Sequence, residues 1–111
     1  GDNHAGQLGL GNIGNTTDFY TSPQLISSLQ DVEFIECNGH FAFCKTLNNE
    51  VFCWGYNYFG VLGLGNREVQ NVPVLCTSLL NENVIDIKGG ENHILVLTSN
   101  GDVLSCGKNE F

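Results

Sequence analysis

The sequence predicts an all-β fold made of propeller blades, four-stranded antiparallel sheets that stand side by side. Three observations lead there. One unit is written twice, since Gly6-Gln7-Leu8-Gly9-Leu10-Gly11-Asn12 returns as Gly60-Val61-Leu62-Gly63-Leu64-Gly65-Asn66 at an offset of 54. Each copy holds brief runs of β-branched and aromatic residues bounded by glycine and asparagine, the pattern of short strands. Glycine supplies 14 of the 111 residues, nearly twice its usual share of about 7%. Repeated short strands at a period of about 40–50 residues are the signature of blades, whose faces must be buried on neighbours. Two blades belonging to a larger array are therefore expected.

The elements follow in order. The glycine cluster Gly6, Gly9 and Gly11 marks a sharp turn, and Leu25 to Leu29 can hold no more than a helical turn. Asp31 to Ile35 reads as a strand, followed by a turn through His40 and a second strand at Phe41 to Cys44. Leu47-Asn48-Asn49-Glu50 offers asparagines for left-handed turn positions before a strand at Val51 to Trp54. The second copy runs in parallel, with Gly60, Gly63 and Gly65 in its turn and a short helical stretch at Ser78 to Leu80. Asn83 to Ile87 is its first strand, and Gly89 and Gly90 precede His93, which aligns with His40. Ile94 to Leu97 and Val103 to Cys106 close the copy around Ser99-Asn100-Gly101-Asp102, where Asn-Gly predicts a type I′ hairpin. Val51 through Gly55 matches Val103 through Gly107 at an offset of 52. The chain thus divides as residues 1–54, 55–106 and 107–111, two repeats and the opening of a third.

Composition narrows the function classes. Hydrophobic residues make up 41%, so the chain is not disordered by composition, and no apolar stretch approaches the length of a membrane span. A formal charge of -8, with 4 basic residues against 12 acidic ones, argues against binding to nucleic acid. Five cysteines without a Cys-x-x-Cys pair, an odd count and no secretory signal point to reduced thiols in cytosol or nucleus. Cys44, Cys53 and Cys106 lie in apolar runs and read as core, and no metal site is expected. Gly9-Leu10-Gly11-Asn12-Ile13-Gly14 spells a dinucleotide fingerprint, but no helix follows to receive a pyrophosphate. No cofactor is expected. No nucleophile, base and acid can be assembled from spacing, so the chain reads as non-enzymatic. His40 and His93, at the start of apolar strands in both copies, read as architectural side chains bonded to the glycine turns.

At these residues the chain resembles the regulator of chromosome condensation repeat family. The family's unit has the form N-x-x-G-Q-L-G-x-G, then Pro, then V-x-x-I-x-C/G-G-x-x-H, then G-x-V-x-x-W/C-G. Asn3, Gly6, Gln7, Leu8, Gly9 and Gly11 carry its first part, repeated at Asn57, Gly60, Leu62, Gly63 and Gly65. Val84, Ile87, Gly89, Gly90 and His93 carry its second part, followed by Gly101, Val103, Cys106 and Gly107. Val61 departs from the pattern's Gln, and Cys37-Asn38-Gly39-His40 falls one residue short of Gly89 through His93. The resemblance implies a seven-bladed propeller of which this chain supplies two blades. Kelch repeats share the period and a Gly-Gly pair but do not explain the Asn-x-x-Gly-x-Leu-Gly run.

What differs between the copies points to a contact surface. The loop from Asn12 to Pro23 is four residues longer than that from Asn66 to Pro73. It carries Asp18, Phe19 and Tyr20, aromatics on a loop of the kind that anchors protein contacts. Tyr56 and Tyr58 stand at places that the repeat leaves variable. The plain alternative is that these aromatics pack over the blade edge. The expected function is a protein-interaction scaffold with a protein partner, no membrane partner, and further blades of the same protein against its flanks. The second reading, implied by the resemblance, is part of a guanine nucleotide exchange factor for a small GTPase.

Overall fold

The computed structural model describes residues 4–11 and 20–108. β1 (Val32–Cys37), β2 (Phe41–Thr46), β3 (Val51–Gly55) and β4 (Gln70–Leu75) form a four-stranded antiparallel sheet in the order β1-β2-β3-β4. A single 3-10 turn, Thr77–Leu79, leads to β5 (Val84–Gly89), β6 (His93–Thr98) and β7 (Val103–Gly107), a three-stranded antiparallel sheet. The all-β architecture of blade-like sheets is as the sequence predicts. The fourth strand is the one the sequence does not announce. Pro73 lies inside β4, and proline removes a ladder donor, which confines it to edge strands such as this one. β4 is drawn from residues 70–75, so the first sheet extends across the 54/55 junction of the sequence repeat.

β5, β6 and β7 repeat the ladder register of β1, β2 and β3 at a constant offset of 52. Val32 stands opposite Thr46 as Val84 stands opposite Thr98, and Phe41 opposite Gly55 as His93 opposite Gly107. Both sheets have a bulge at the same place, between Val32 and Phe34 and between Val84 and Asp86. This register corrects the expected pairing of His40 with His93. The backbone bonds Asn38 N to Phe41 O (3.1 Å) and Gly90 N to His93 O (2.9 Å) close identical turns, so His93 occupies the place of Phe41 and Asn92 that of His40. The turns are equal in length. The identical residue drew the alignment one position away from the backbone register.

The hairpins also differ from the expected turn type. Asn100 and Asn48 do not take up positive φ, whereas Asn49 (φ 63°) and Gly101 (φ 85°) do. Gly101 N donates to Thr98 O (3.0 Å) and Thr98 N to Asp102 O (2.9 Å), with Asn49 N to Thr46 O and Thr46 N to Glu50 O repeating the pattern. This is a three-residue loop, a tight turn followed by one left-handed residue, and not a two-residue type I′ turn.

The core sits between the sheets. Phe41, Phe43, Val51 and Cys53 face Val84, Ile87, Ile94 and Val96 of the second sheet, with Val61, Leu62 and Leu79 filling the gap. On the far face of the first sheet, Ala42, Cys44 and Trp54 pack under Ile26 and Leu29. β2 is buried along its whole length because both faces are covered at the middle of the sheet. In β6, by contrast, Ile94, Val96 and Thr98 are buried while His93, Leu95 and Leu97 are exposed. Its inner face is covered and its outer face is open. The sheets also meet at their β1 and β5 edges, where Gly89 N donates to Glu36 (3.3 Å) and the Asn38 amide donates to Gly90 O.

Candidate protein-contact surface

The turn that leaves β3 is fixed by backbone geometry. Gly55 has φ 102°, and a Cβ there would lie 2.6 Å from His40 O and 2.9 Å from Phe41 Cα, so no side chain fits. Tyr56 N then bonds His40 O (2.9 Å), bringing the β1–β2 turn alongside the following loop. Asn57 is fully buried and holds that loop together. Its amide nitrogen faces Asn66 O, the Asn66 side-chain oxygen and Glu68 O at 2.9–3.2 Å, and its oxygen accepts from Leu62 N (3.1 Å). Arg67 Nε donates to Tyr58 O from the other side of the loop.

On this frame the aromatic rings gather. Tyr56 meets Tyr58 edge-on with ring centroids 4.9 Å apart, Phe59 at 6.1 Å and His40 at 5.9 Å. The Lys108 ammonium lies 4.6 Å from the centre of the Phe59 ring, a cation–π contact that ties the end of the second sheet to the loop of the first. Tyr58 is 59% exposed. Aromatic rings held rigidly by their neighbours and partly open to solvent are good anchors for a protein partner, since little side-chain entropy is lost on contact. Among the described residues, no three of His, Cys, Asp and Glu come together as a metal site.

Of the residues singled out in the sequence, Tyr56 and Tyr58 are brought together. Tyr20 lies elsewhere, half-buried on a cavity of about 260 Å³ whose walls include Leu8, Leu10 and Thr21 to Gln24. Asp18 and Phe19 lie outside the described residues. Phe59, His40 and Lys108 were not expected on this surface. The run Tyr56-Asn57-Tyr58-Phe59, three aromatics in four residues, was the available signal. His40 and Lys108 arrive only through the fold, which no spacing reveals. Gly6, Gly9 and Gly63 of the repeat sit where the chain passes close to other groups. At Gly9 a Cβ would lie 3.0 Å from Trp54 Nε1, and at Gly63 3.2 Å from Cys106 Sγ, the same contact made in both copies.

Two family models, both for the regulator of chromosome condensation (RCC1) repeat, match residues 48–97 and 84–111. The chain belongs to the RCC1 repeat family. Human HERC4, a probable E3 ubiquitin-protein ligase, is 40% identical over 96% of this chain and 10% of the relative. Human HERC2, an E3 ubiquitin-protein ligase, is 34% identical over 99% of the chain and 2% of the relative. The serine/threonine-protein kinase Nek9 of Xenopus laevis is 32% identical over 96% of the chain and 11% of the kinase. The chain thus spans about a tenth or less of these curated relatives. Among solved structures, Prp20p from Saccharomyces cerevisiae, described with its binding to Gsp1p and histones, matches with a TM-score of 0.67 at 29% identity. That match covers 74% of this chain and 20% of Prp20p. Human WBSCR16 matches the whole chain and 29% of its own length with a TM-score of 0.78 at 22% identity, a likeness of fold. The RCC1-repeat sheets are β-propeller blades.

Proposed function

We propose that this chain is a propeller segment that presents a protein-contact surface, acting as an interaction scaffold and not as a catalyst. The observation that carries the reading is the ring cluster of Tyr56, Tyr58, Phe59 and His40 on a loop made rigid by buried Asn57. A rigid, partly exposed aromatic group without a catalytic constellation beside it suits contact better than chemistry. The partner is a protein. In this reading residues 1–54 and 55–106 act as two repeats, with 107–111 opening a third. The apolar outer face of the second sheet, with Leu95 46% and Val103 61% exposed, packs against a further blade of the same protein.

Affinity capture from the intact protein, compared with Tyr58→Ala/Phe59→Ala, tests the surface. Loss of a reproducible set of partners, with the melting temperature held, is the expected result. Unchanged recovery removes this loop from the contact. A second reading, an exchange factor for a small GTPase, rests on the likeness to Prp20p, whose description includes binding to Gsp1p. It predicts faster nucleotide release from a GTPase panel in the presence of the intact protein, and no acceleration with any member would sink it for those GTPases.

A further inference from the structure

We propose that Cys53 and Cys76 form an oxidation site, at which a small peroxide converts two buried thiols into a disulfide linking β3 to the residue that follows β4. The sulfurs converge on one acceptor. Cys53 Sγ lies 3.7 Å and Cys76 Sγ 3.6 Å from the Leu62 carbonyl oxygen. Cys76 N bonds Val51 O (2.8 Å), which fixes its backbone beside β3. Side chains that converge on one carbonyl, one from β3 and one from the residue bonded to its edge, need little movement to bond.

Both thiols are buried, Cys53 at 0% and Cys76 at 1% exposure, yet the barrier to solvent is thin. A surface cavity of about 320 Å³ is walled by Gly60, Gly63, Arg67 and Cys106 among others. Gly63 has no side chain, and a Cβ there would lie 3.8 Å from Ser78 Oγ and 4.0 Å from Cys76 Sγ. A molecule the size of hydrogen peroxide in that cavity is therefore separated from Cys76 by little more than a glycine.

The chemistry divides the roles. Hydrogen bonds from Cys53, from Ser78 and from nearby backbone hold the Cys76 thiol below its ordinary pKa, against the opposing effect of burial. The bond to Cys76, burial and the charge on its neighbour push Cys53 up, so the pair ionises first at Cys76. The Cys76 thiolate attacks one peroxide oxygen, forming an S–O bond as the O–O bond breaks. The hydroxide released takes a proton from the surroundings and leaves as water. The sulfur of Cys53 then attacks the sulfenic sulfur, forming S–S and breaking S–O, and its own proton leaves with the second hydroxide as water. In sum, two thiols and one hydrogen peroxide give one disulfide and two waters. The other candidates are less suited. Cys44 packs on the opposite face of the sheet with Ala42 and Trp54, and Cys106 belongs to β7 of the second sheet, whereas Cys53 and Cys76 meet at one carbonyl. Oxidation also removes both S–H groups from Leu62 O, whose own N–H is held by Asn57. The loop bearing Tyr58 would register the change.

The test is to treat the intact reduced protein with hydrogen peroxide, block the remaining thiols with N-ethylmaleimide and map linked peptides by mass spectrometry. A Cys53–Cys76 linkage, roughly tenfold more abundant than any other intramolecular pair and reversed by dithiothreitol, is expected. In Cys53→Ser, dimedone should trap a sulfenic acid on Cys76. A predominant linkage through Cys106, or oxidation confined to the exposed Cys37 with Cys76 unmodified, would overturn the proposal. The unsubstituted protein alone decides between these outcomes.

Discussion

Asn57 shows how much a single side chain can organise. Its amide serves three acceptors across the loop and its oxygen takes Leu62 N, all without solvent. Buried groups stripped of a partner are costly, about 1–3 kcal/mol each. Asn57→Ala should therefore destabilise the intact protein by roughly 3 kcal/mol or more, read as a shift in the denaturation midpoint. Asn57→Asp keeps the acceptor for Leu62 N but loses the donor, so it should also be destabilising at neutral pH. Midpoints unchanged by both substitutions would remove Asn57 from the frame of the loop. The role of this residue was half legible. The repeat marks Asn3 and Asn57 as equivalent, but only the folded loop reveals which carbonyls the amide must meet. Trp54 is 5% exposed, and its Nε1 donates to Gln7 O (2.9 Å).

Strands and turns were legible to different depths. β1, β2, β3, β5, β6 and β7 follow from their short apolar runs, because burial of side chains on alternating faces leaves a pattern in composition. β4 does not, because Val72, Pro73 and Val74 lie on an edge with partial exposure and a missing donor. The hairpin type was misread for a similar reason. Asn-Gly permits a type I′ turn, yet a three-residue loop uses the same pair with only its glycine left-handed. Gly101→Ala should therefore cost about 1 kcal/mol, the strain of a left-handed non-glycine residue, while Asn100→Ala should be close to neutral. Equal losses in equilibrium unfolding would speak for the two-residue turn instead. Asn49, the left-handed residue of the other hairpin, should accept glycine with a gain of a few tenths to ~1 kcal/mol.

For the molecule as a whole, the two sheets are alike in register and unlike in cover. The middle strands of the first are packed on both faces, whereas the second leaves Ile85, Leu95, Leu97 and Val103 open on one side. Ile94-Leu95-Val96-Leu97 is a continuous apolar run, the composition of a strand buried on both faces. If a further blade covers that face in the intact protein, Leu95→Glu should destabilise it by about 2–3 kcal/mol, the scale of losing a buried leucine and burying a charge. A substitution without effect on the melting temperature would leave the face in solvent. The repeat made this architecture legible early. The candidate contact surface was legible only in part, since Lys108 reaches Phe59 from the far end of the second sheet.

The outer strand β4 lies beyond the repeat junction from the three strands it completes. A stretch of 52 residues, the spacing between matching ladder positions, therefore carries one strand handed back and three awaiting a strand from ahead. Wherever such a stretch is copied or excised, the seam falls between equivalent residues and every interior sheet still closes. Duplication of the gene segment can lengthen the array by one blade without needing a favoured breakpoint. Removal of a single sheet, cut at its own edges, has no such freedom.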